Sequence, residues 1–378
     1  GLEYAEWYHG LLSRKDINKL LTKHGQFLVR ETEIKKGEGL QPVLSVKWND
    51  MIMHFTICQN DGKVSIEKCE FASICELIRY HMITKDPITD QSGAMLLYVV
   101  PRQNWEVKHE QIELGELLGE GALSAVYKDT SKNNERKKEV AIKVRKGRRL
   151  DREIVEQICR EARIVSKLEH PNLARLYGIA ISKEPIVLLM ELLKDGSLDM
   201  FLIAKGPTLS IRKKLYFCLD IASGLEFLHN NGIIHRNISA RNCLMKDMCV
   251  KISDFNLSRE IKKQDEKYKM TRLKQNLPIR WLAPETLRSA IYTTKSDVFS
   301  YGVLLWEVFT NGAEPYCGMT VAEVFVNVKD GYRIPSPDAM PKQLQTLQQN
   351  CFATEVSERW SMTQIRKEIE MTCLEYQD

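Results

Sequence analysis

The sequence predicts an α+β protein built as two units, and three observations lead there. At 378 residues the chain is long for a single domain. Short alternating apolar runs that read as strands are interleaved with helical patterns. The segment Pro101-Arg-Gln-Asn-Trp105 breaks the pattern and marks a junction too short to let two domains wander far apart. Composition places few other limits. Hydrophobic residues at 43% and charged residues at 28% describe ordinary soluble globular protein. No apolar run approaches the roughly 18 residues that cross a bilayer, and no secretory apolar region opens the chain. A net charge of +5 admits acidic or phosphorylated partners without calling for nucleic acid. The 10 cysteines are scattered without metal-binding spacing, which predicts reduced thiols in a cytosolic protein.

The first hundred residues open Trp7-Tyr-His-Gly10, followed by a helical pattern from Ser13, a fair N-cap, through Leu21. A strand follows at Gly25–Thr32, with Phe27 and Val29 on one face and Leu28 and Arg30 on the other. A guanidinium at the end of a buried strand is costly unless an anion satisfies it, and that anion is either a ligand or a nearby carboxylate. Val43–Trp48 and Met53–Cys58 read as further strands, and Glu70–His81 as a second helix. The pair Trp7-Tyr-His-Gly10 and Phe27-Leu-Val-Arg30 resembles an SH2 domain, a central antiparallel sheet flanked by two helices, over residues 1–100. That resemblance implies phosphotyrosine-containing proteins as partners. Arg30 would fork onto the phosphate, since a guanidinium makes paired charge-assisted bonds that lysine cannot match. Arg14 and His54 would flank the phosphotyrosine and Thr32 would donate its hydroxyl. A lone strand histidine such as His54 is also compatible with a packed core residue, though its place in the motif set favours the phosphotyrosine role.

Beyond the junction, a strand from Ile112 leads into Leu118-Gly-Glu-Gly-Ala-Leu-Ser-Ala-Val126, a glycine-rich loop with Ser124 where a third glycine would stand. The strand Val140-Ala-Ile-Lys143 follows, then Glu161 at helical spacing. The basic run Arg145–Arg149 between them reads as a nucleic-acid patch, a nuclear signal or a solvated loop. Ile186–Glu191 is a buried-looking strand, and Tyr216–Asn230 an amphipathic helix closed by Asn231-Gly232. Next come two short apolar runs, Cys243–Met245 and Cys249–Ile252. Joined at Lys246-Asp247 they would form a hairpin that brings Asn242 and Asp254 to one spot. An amide oxygen and a carboxylate are hard oxygen ligands, suited to Mg²⁺ on a nucleotide phosphate tail.

The segment Ile234–Arg259 resembles the catalytic loop and D-F-G element of protein kinases. Residues 112–378 therefore look like a bilobal kinase fold, with a β-rich small lobe at 112–191, an α-rich large lobe at 192–378 and residues 101–111 as linker. The resemblance implies ATP and Mg²⁺ as cofactors. Lys143, held by Glu161, would grip the α and β phosphates; outside that context the two would be a surface pair worth little. Leu118, Gly119, Gly121, Val126, Ala141 and Leu244 would enclose the nucleotide. Met190 would be the gatekeeper or simply core, and Glu191 and Leu192 would offer backbone to adenine. Asn242 and Asp254 would hold the metal. Ser239-Ala-Arg241-Asn242 and Pro278-Ile-Arg-Trp281 resemble tyrosine kinases rather than serine/threonine kinases, so Arg241 joins the catalytic set. Tyr268 reads as a phosphorylation switch pairing with Arg236, or as an exposed loop residue. Asp297 and Arg359, the latter with Glu285, look like structural anchors. Trp360 stands where the family usually has proline.

An SH2 domain joined directly to a tyrosine kinase domain is similar to the Fes/Fer non-receptor group, cytoplasmic and reaching the membrane periphery through its partners. Two positions depart from the pattern. Asn237 stands where kinases carry the aspartate that takes the acceptor hydroxyl's proton, and Asn256 where D-F-G has glycine. Both asparagines also open N-x-S sequons, which are chance matches here because a glycan would block the cleft. Asn237 can hold a hydroxyl but cannot accept its proton, whereas Asn256 should tolerate the left-handed backbone that the glycine implies. Two readings follow. One is a tyrosine kinase in which Asn237 is tolerated or introduced. The other is a pseudokinase that docks on phosphotyrosine proteins as an adaptor.

Overall fold

The computed structural model describes residues 2–12, 14–34, 39–67, 69–120, 124–129, 139–145, 152–261, 267–269 and 277–376. Ser13, Gly121 and 146–149 of the basic run lie outside them. The chain divides into two compact units, Gly1–Ser166 with Leu176–Leu192, and Lys167–Arg175 with Leu193–Asp378.

The first unit opens with helix α1 (Arg14–Leu20) and strands β1 (Gln26–Glu33), β2 (Leu40–Trp48) and β3 (Met51–Thr56). The three strands are consecutive antiparallel neighbours, and β7 (Tyr98–Val99) adds in parallel beside β1, giving the order β3-β2-β1-β7. A smaller sheet joins β4 (Cys58–Asn60), β5 (Lys63–Ile66) and β6 (Cys69–Phe71). Phe27, Val29, Leu44 and Val46 turn to one face and pack with Ile74, Leu77 and Ile78 of helix α2 (Ile74–Thr84). That helix starts four residues later than the pattern at Glu70 suggests. Glu70 pairs with Ser65 in the small sheet, and the Ser73 hydroxyl caps the helix by accepting from Glu76 N.

Still within the first unit, strands β8 (Leu114–Glu120), β9 (Ser124–Asp129), β10 (Val140–Arg145), β11 (Leu176–Ala180) and β12 (Val187–Glu191) form one antiparallel sheet ordered β11-β12-β10-β9-β8. Helix α3 (Arg152–Val165) precedes β11. The junction is not slack: Val107 N donates to Ile179 O at 2.8 Å and Ile179 N to Trp105 O at 2.8 Å, so residues 105–107 are tied to β11 through an isolated bridge at Glu106. Gly178 permits this approach, because a Cβ there would sit 2.2 Å from Val107 Cγ2.

The second unit carries helices α4 (Leu198–Lys205), α5 (Ile211–Asn230), α6 (Pro284–Ser289) and α7 (Thr294–Phe309), followed by Val321–Lys329, Lys342–Cys351 and Met362–Glu375. α7 is buried along nearly its whole length and forms the unit's centre. α5 begins five residues before the amphipathic stretch at Tyr216, because the Ser210 hydroxyl caps it by accepting from Lys213 N. Gly232 takes the left-handed conformation just beyond its end, with φ 68°. Among the described residues no helix is long and apolar enough to cross a membrane.

Candidate functional site

On the first unit, register places Leu28 opposite Ser45 and Ser45 opposite His54, while Arg30 faces Val43. Strand alternation then puts Leu28, Arg30 and Thr32 of β1 and His54 of β3 on one face. Arg30 is only 4% exposed and its Nη1 donates to Leu12 O at 3.3 Å. The Ser45 hydroxyl and His54 Nδ1 lie 2.9 Å apart. Burial, with the charges of Arg30 and Arg14 behind it, pulls the His54 imidazole down to about 4. His54, Arg30 and Arg14 are therefore electrostatic neighbours, and a neutral imidazole sits beside two cations. Beyond β3 a groove of about 520 Å³ is lined by His54 together with Phe55, Thr56, Ile66, Glu67, Thr89 and Ser92. Of these, sequence reasoning singled out His54 alone; the others carry no motif.

On the sheet of β8–β12, Val126 and Leu188 stand opposite Lys143, and Met190 opposite Ala141. Val126, Ala141, Lys143 and Met190 thus share one face, while Ile142, Val187, Tyr127 and Leu189 pack on the other. Gly119 pairs with Val126, and Leu118 beside it is 46% exposed. Lys143 Nζ lies 4.0 Å from Glu161 Oε1, the outer limit of an ion pair, and Glu161 is buried, so this is not a solvated surface pair. Glu191 ends β12, and Leu192 N donates to Glu139 O at 3.1 Å.

In the second unit Cys243–Lys246 pairs with Cys249–Ile252, Cys243 opposite Ile252. The turn falls on Asp247 and Met248, one residue later than expected. Both are left-handed, with φ 52° and 64°, as a tight hairpin turn requires. Closing the hairpin brings Ser253 to Asn242, whose carbonyl accepts from Ser253 N at 2.9 Å. Asp254, itself left-handed with φ 60°, then turns its carboxylate to Asn237: Asn237 Nδ2 donates to Asp254 Oδ2 at 3.1 Å. Asn242 Nδ2 donates to Asn237 O at 2.8 Å, so Asn237, Asn242 and Asp254 form one connected cluster. Since Asn242 uses its amide nitrogen in that bond, its oxygen is the end left to meet a cation. With the Asp254 carboxylate it makes a pair of hard oxygen donors, and this donor set fits Mg²⁺. Asn237 Oδ1 is buried and has no hydrogen-bond partner among the described residues.

The cluster is held from behind. Asp297 accepts from His235 N at 2.7 Å and Arg236 N at 2.8 Å, which fixes the start of the loop. Burial keeps His235 neutral. Its Nδ1 accepts from Asn237 N, so Nε2 carries the proton and donates to Ser253 O at 3.0 Å. Arg241 is exposed, its guanidinium 4.9 Å from the Trp281 ring. Leu244 bridges to Ser197. Asn256 corrects an expectation: it lies in the short helical turn Phe255–Leu257 and is not left-handed, since the strained residue is Asp254.

The sequence patterns of known families match in two blocks. The pattern described as SH2 domain covers residues 7–81, and that described as protein tyrosine and serine/threonine kinase covers residues 112–369. Tyrosine-protein kinase Fer of Homo sapiens is 38% identical over 370 residues, 97% of this chain and 44% of that protein. Fer-related kinase 1 of Caenorhabditis elegans is 34% identical over 371 residues, 97% of this chain and 93% of that protein. The chain belongs to the SH2-containing tyrosine kinases of the Fer/Fps group. The transforming protein Fps of avian sarcoma virus (strain PRCII) is also similar, 34% identical over 96% of this chain and 67% of that protein. The chain spans less than half the length of the Fer proteins it matches.

Within this Fer/Fps-like kinase, Tyr268 is partly buried rather than an exposed loop residue. Tyr268-Lys269 pairs with Ile291-Tyr292, and the Tyr268 ring lies 4.8 Å from the Arg236 guanidinium and 5.3 Å from that of Arg259. Arg359 meets Glu285 with both guanidinium nitrogens, at 2.7 and 2.9 Å. Trp360 N donates to Asn350 Oδ1 at 2.8 Å, a bond that proline could not make. Sequence reasoning missed Glu307. Its Oε2 accepts from Ala240 N in the catalytic loop and from Trp281 Nε1, each at 3.0 Å. Burial, against those two bonds, pushes its carboxyl up to about 7. The signal was a lone carboxylate inside the apolar run Tyr301–Phe309, which cannot be buried without partners.

Proposed function

We propose that this chain docks on phosphotyrosine proteins through its SH2 domain, binds Mg-ATP and passes the γ-phosphate to protein tyrosine, at a rate much weakened by Asn237. The supporting observation is the Asn237–Asn242–Asp254 cluster, which gathers the acceptor-hydroxyl position and the two metal-ligand positions into one hydrogen-bonded group. Arg30 takes the phosphotyrosine phosphate, flanked by Arg14, His54 and Thr32, and the groove beyond β3 takes the residues that follow. Lys143, held by Glu161, takes the nucleotide phosphates, and by the family resemblance Leu118, Gly119, Gly121, Val126, Ala141, Met190, Glu191, Leu192 and Leu244 are the nucleotide-contacting positions. Asn242 and Asp254 hold Mg²⁺, which when bound neutralises charge on the transferring phosphoryl group.

The buried Oδ1 of Asn237 is an acceptor awaiting a donor, and leaving such a group unpaired costs about 1–3 kcal/mol. A tyrosine hydroxyl would satisfy it and be oriented for attack. The amide cannot take the hydroxyl's proton, and losing a general base typically costs about 10²–10⁴ in rate. Phosphate on Tyr268 would pair with Arg236 and Arg259 and reorder its segment. We take 1–100 as the SH2 domain, 101–111 as linker and 112–378 as the kinase domain.

The neutral amide at Asn237 favours a second reading, in which the kinase domain is catalytically silent and the chain is a phosphotyrosine-directed adaptor. Tyrosine phosphate on a peptide substrate is the deciding measurement, for the native chain and for Asn237→Asp. Turnover that rises in the variant supports the kinase reading. Silence in both leaves the adaptor.

A further inference from the structure

We propose that Glu67 makes the groove beyond β3 a pocket for a basic side chain, so that this SH2 domain selects proteins with lysine or arginine shortly after the phosphotyrosine. This rests on the phosphotyrosine reading above and gives the class of partner that the reading leaves open. Strand β3 is the edge of its sheet, so the groove opens beyond the last hydrogen-bonded strand. Its apolar wall includes Phe55 and Ile66, and its far side is the segment that follows α2, at Thr89 and Ser92. His54 lines the same groove and is the electrostatic neighbour of Arg30 and Arg14. A peptide whose phosphate sits on Arg30 therefore has this groove within reach.

Charge decides what the groove takes. Among the described residues that line it, Glu67 carries the only formal charge, and it is exposed. No hydrogen bond or ion pair reaches its carboxylate among the described residues. The one described cation of the neighbouring sheet, Lys63, is already engaged with Glu70 at 2.7 Å. Glu67 lies in the turn from β5 to β6, where Ile66 faces Cys69, and its backbone is left-handed, with φ 56°. Asn, Asp or Gly would adopt that angle at less cost. A glutamate at so strained a position points to a use for its carboxylate. The far wall does not suit an acidic ligand instead. Thr89 Oγ1 donates to Ser92 Oγ at 2.8 Å, and Ser92 Oγ to Thr89 O at 3.2 Å, so both hydroxyls spend their protons inside their own turn. The His54 imidazole, pulled down to about 4 chiefly by burial, adds no positive charge. A lysine or arginine can lay its methylene stem on Phe55 and Ile66 while its charged head reaches Glu67. The chain as a whole carries +5, so a basic residue is drawn by this carboxylate and not by the overall field.

The test is fluorescence anisotropy of the full chain with phosphotyrosine peptides that differ at one residue, which is lysine, norleucine or glutamate. That residue is placed in turn at each of the first few positions after the phosphotyrosine. Norleucine keeps the apolar stem of lysine and drops its charge. At one position the lysine peptide should bind about threefold more tightly than norleucine and about tenfold more tightly than glutamate. Added salt should narrow both gaps. Glu67→Gln should bring the lysine-to-norleucine ratio close to one, and Glu67→Lys should make glutamate the preferred residue at that position. Native affinities that differ by less than about twofold at every position overturn the proposal while leaving the phosphotyrosine reading intact. So does a preference for glutamate or norleucine, or a lysine preference that Glu67→Gln leaves unchanged. No binding of any phosphotyrosine peptide removes the phosphotyrosine reading, and the proposal with it.

Discussion

Arg30 is 4% exposed on a strand face, in the electrostatic neighbourhood of Arg14 and a neutral His54, and the proposal that it takes the phosphate of an incoming phosphotyrosine makes a sharp demand on its paired geometry. Arg30→Lys keeps the charge and loses the paired geometry. Its affinity for a phosphotyrosine peptide should fall by about 1.5–3 kcal/mol, roughly ten- to a hundredfold, read by fluorescence anisotropy, with the unfolding temperature little changed. At this scale the sequence was legible wherever residues form a short motif: Phe27-Leu-Val-Arg30, Val140-Ala-Ile-Lys143, and the Asn242 to Asp254 spacing. It was not legible where a contact depends on a backbone angle. The bond from Asn237 to Asp254 exists because Asp254 is left-handed, and an aspartate gives no local sign of that. The same limit explains why the unusual angle expected at Asn256 lies two residues earlier.

Among the elements, α7 has the strongest hold on the catalytic loop. Asp297 binds the loop's entry and Glu307 its far side, through Ala240 N and the Trp281 indole. Burial raises the Glu307 carboxyl from its ordinary 4.5 to about 7. Between about pH 4.5 and 7 the folded chain therefore holds a proton that the unfolded chain has released, and folding stability contributed by this group falls as pH rises through that window. Above pH 7 the group adds no further slope. Glu307→Gln can still accept both N–H groups and should flatten the pH dependence of the urea midpoint across that interval. Element type followed from apolar periodicity, but element ends did not. α5 gains its first turn from the cap at Ser210, over Ile211-Arg-Lys-Lys214, where the apolar pattern has yet to begin. Glu70 fits a helical spacing equally well, and only its partner Ser65 decides for the strand.

For the molecule as a whole, residues 1–166 and 176–192 form one compact unit, and 167–175, expected in the small lobe, falls with the second unit. Leu11 N donates to Ile181 O at 2.7 Å, Asp16 pairs with Arg163 of α3, and His9 Nδ1 meets Glu106 Oε1 at 3.2 Å. The isolated bridge at Glu106 closes the set against β11. Gly178→Val should destabilise that closure by about 1–3 kcal/mol, because its Cβ would also lie 3.0 Å from Trp105 O. Faster hydrogen exchange at the Val107 and Ile179 amides is the expected signature. In the second unit, Arg359 gathers Glu285, the Lys295 carbonyl and the Ala353 carbonyl at 2.7–3.0 Å. Arg359→Leu would strand the Glu285 carboxylate and should cost about 3–5 kcal/mol by urea denaturation.

The opening of the clasp around Tyr268 can be timed. Its ring is stacked beside two guanidinium groups, and its backbone is stitched to Tyr292. A pairing of two residues on each side has few bonds to hold it, so amide exchange at Tyr268 and Lys269 would read directly how often this ribbon parts.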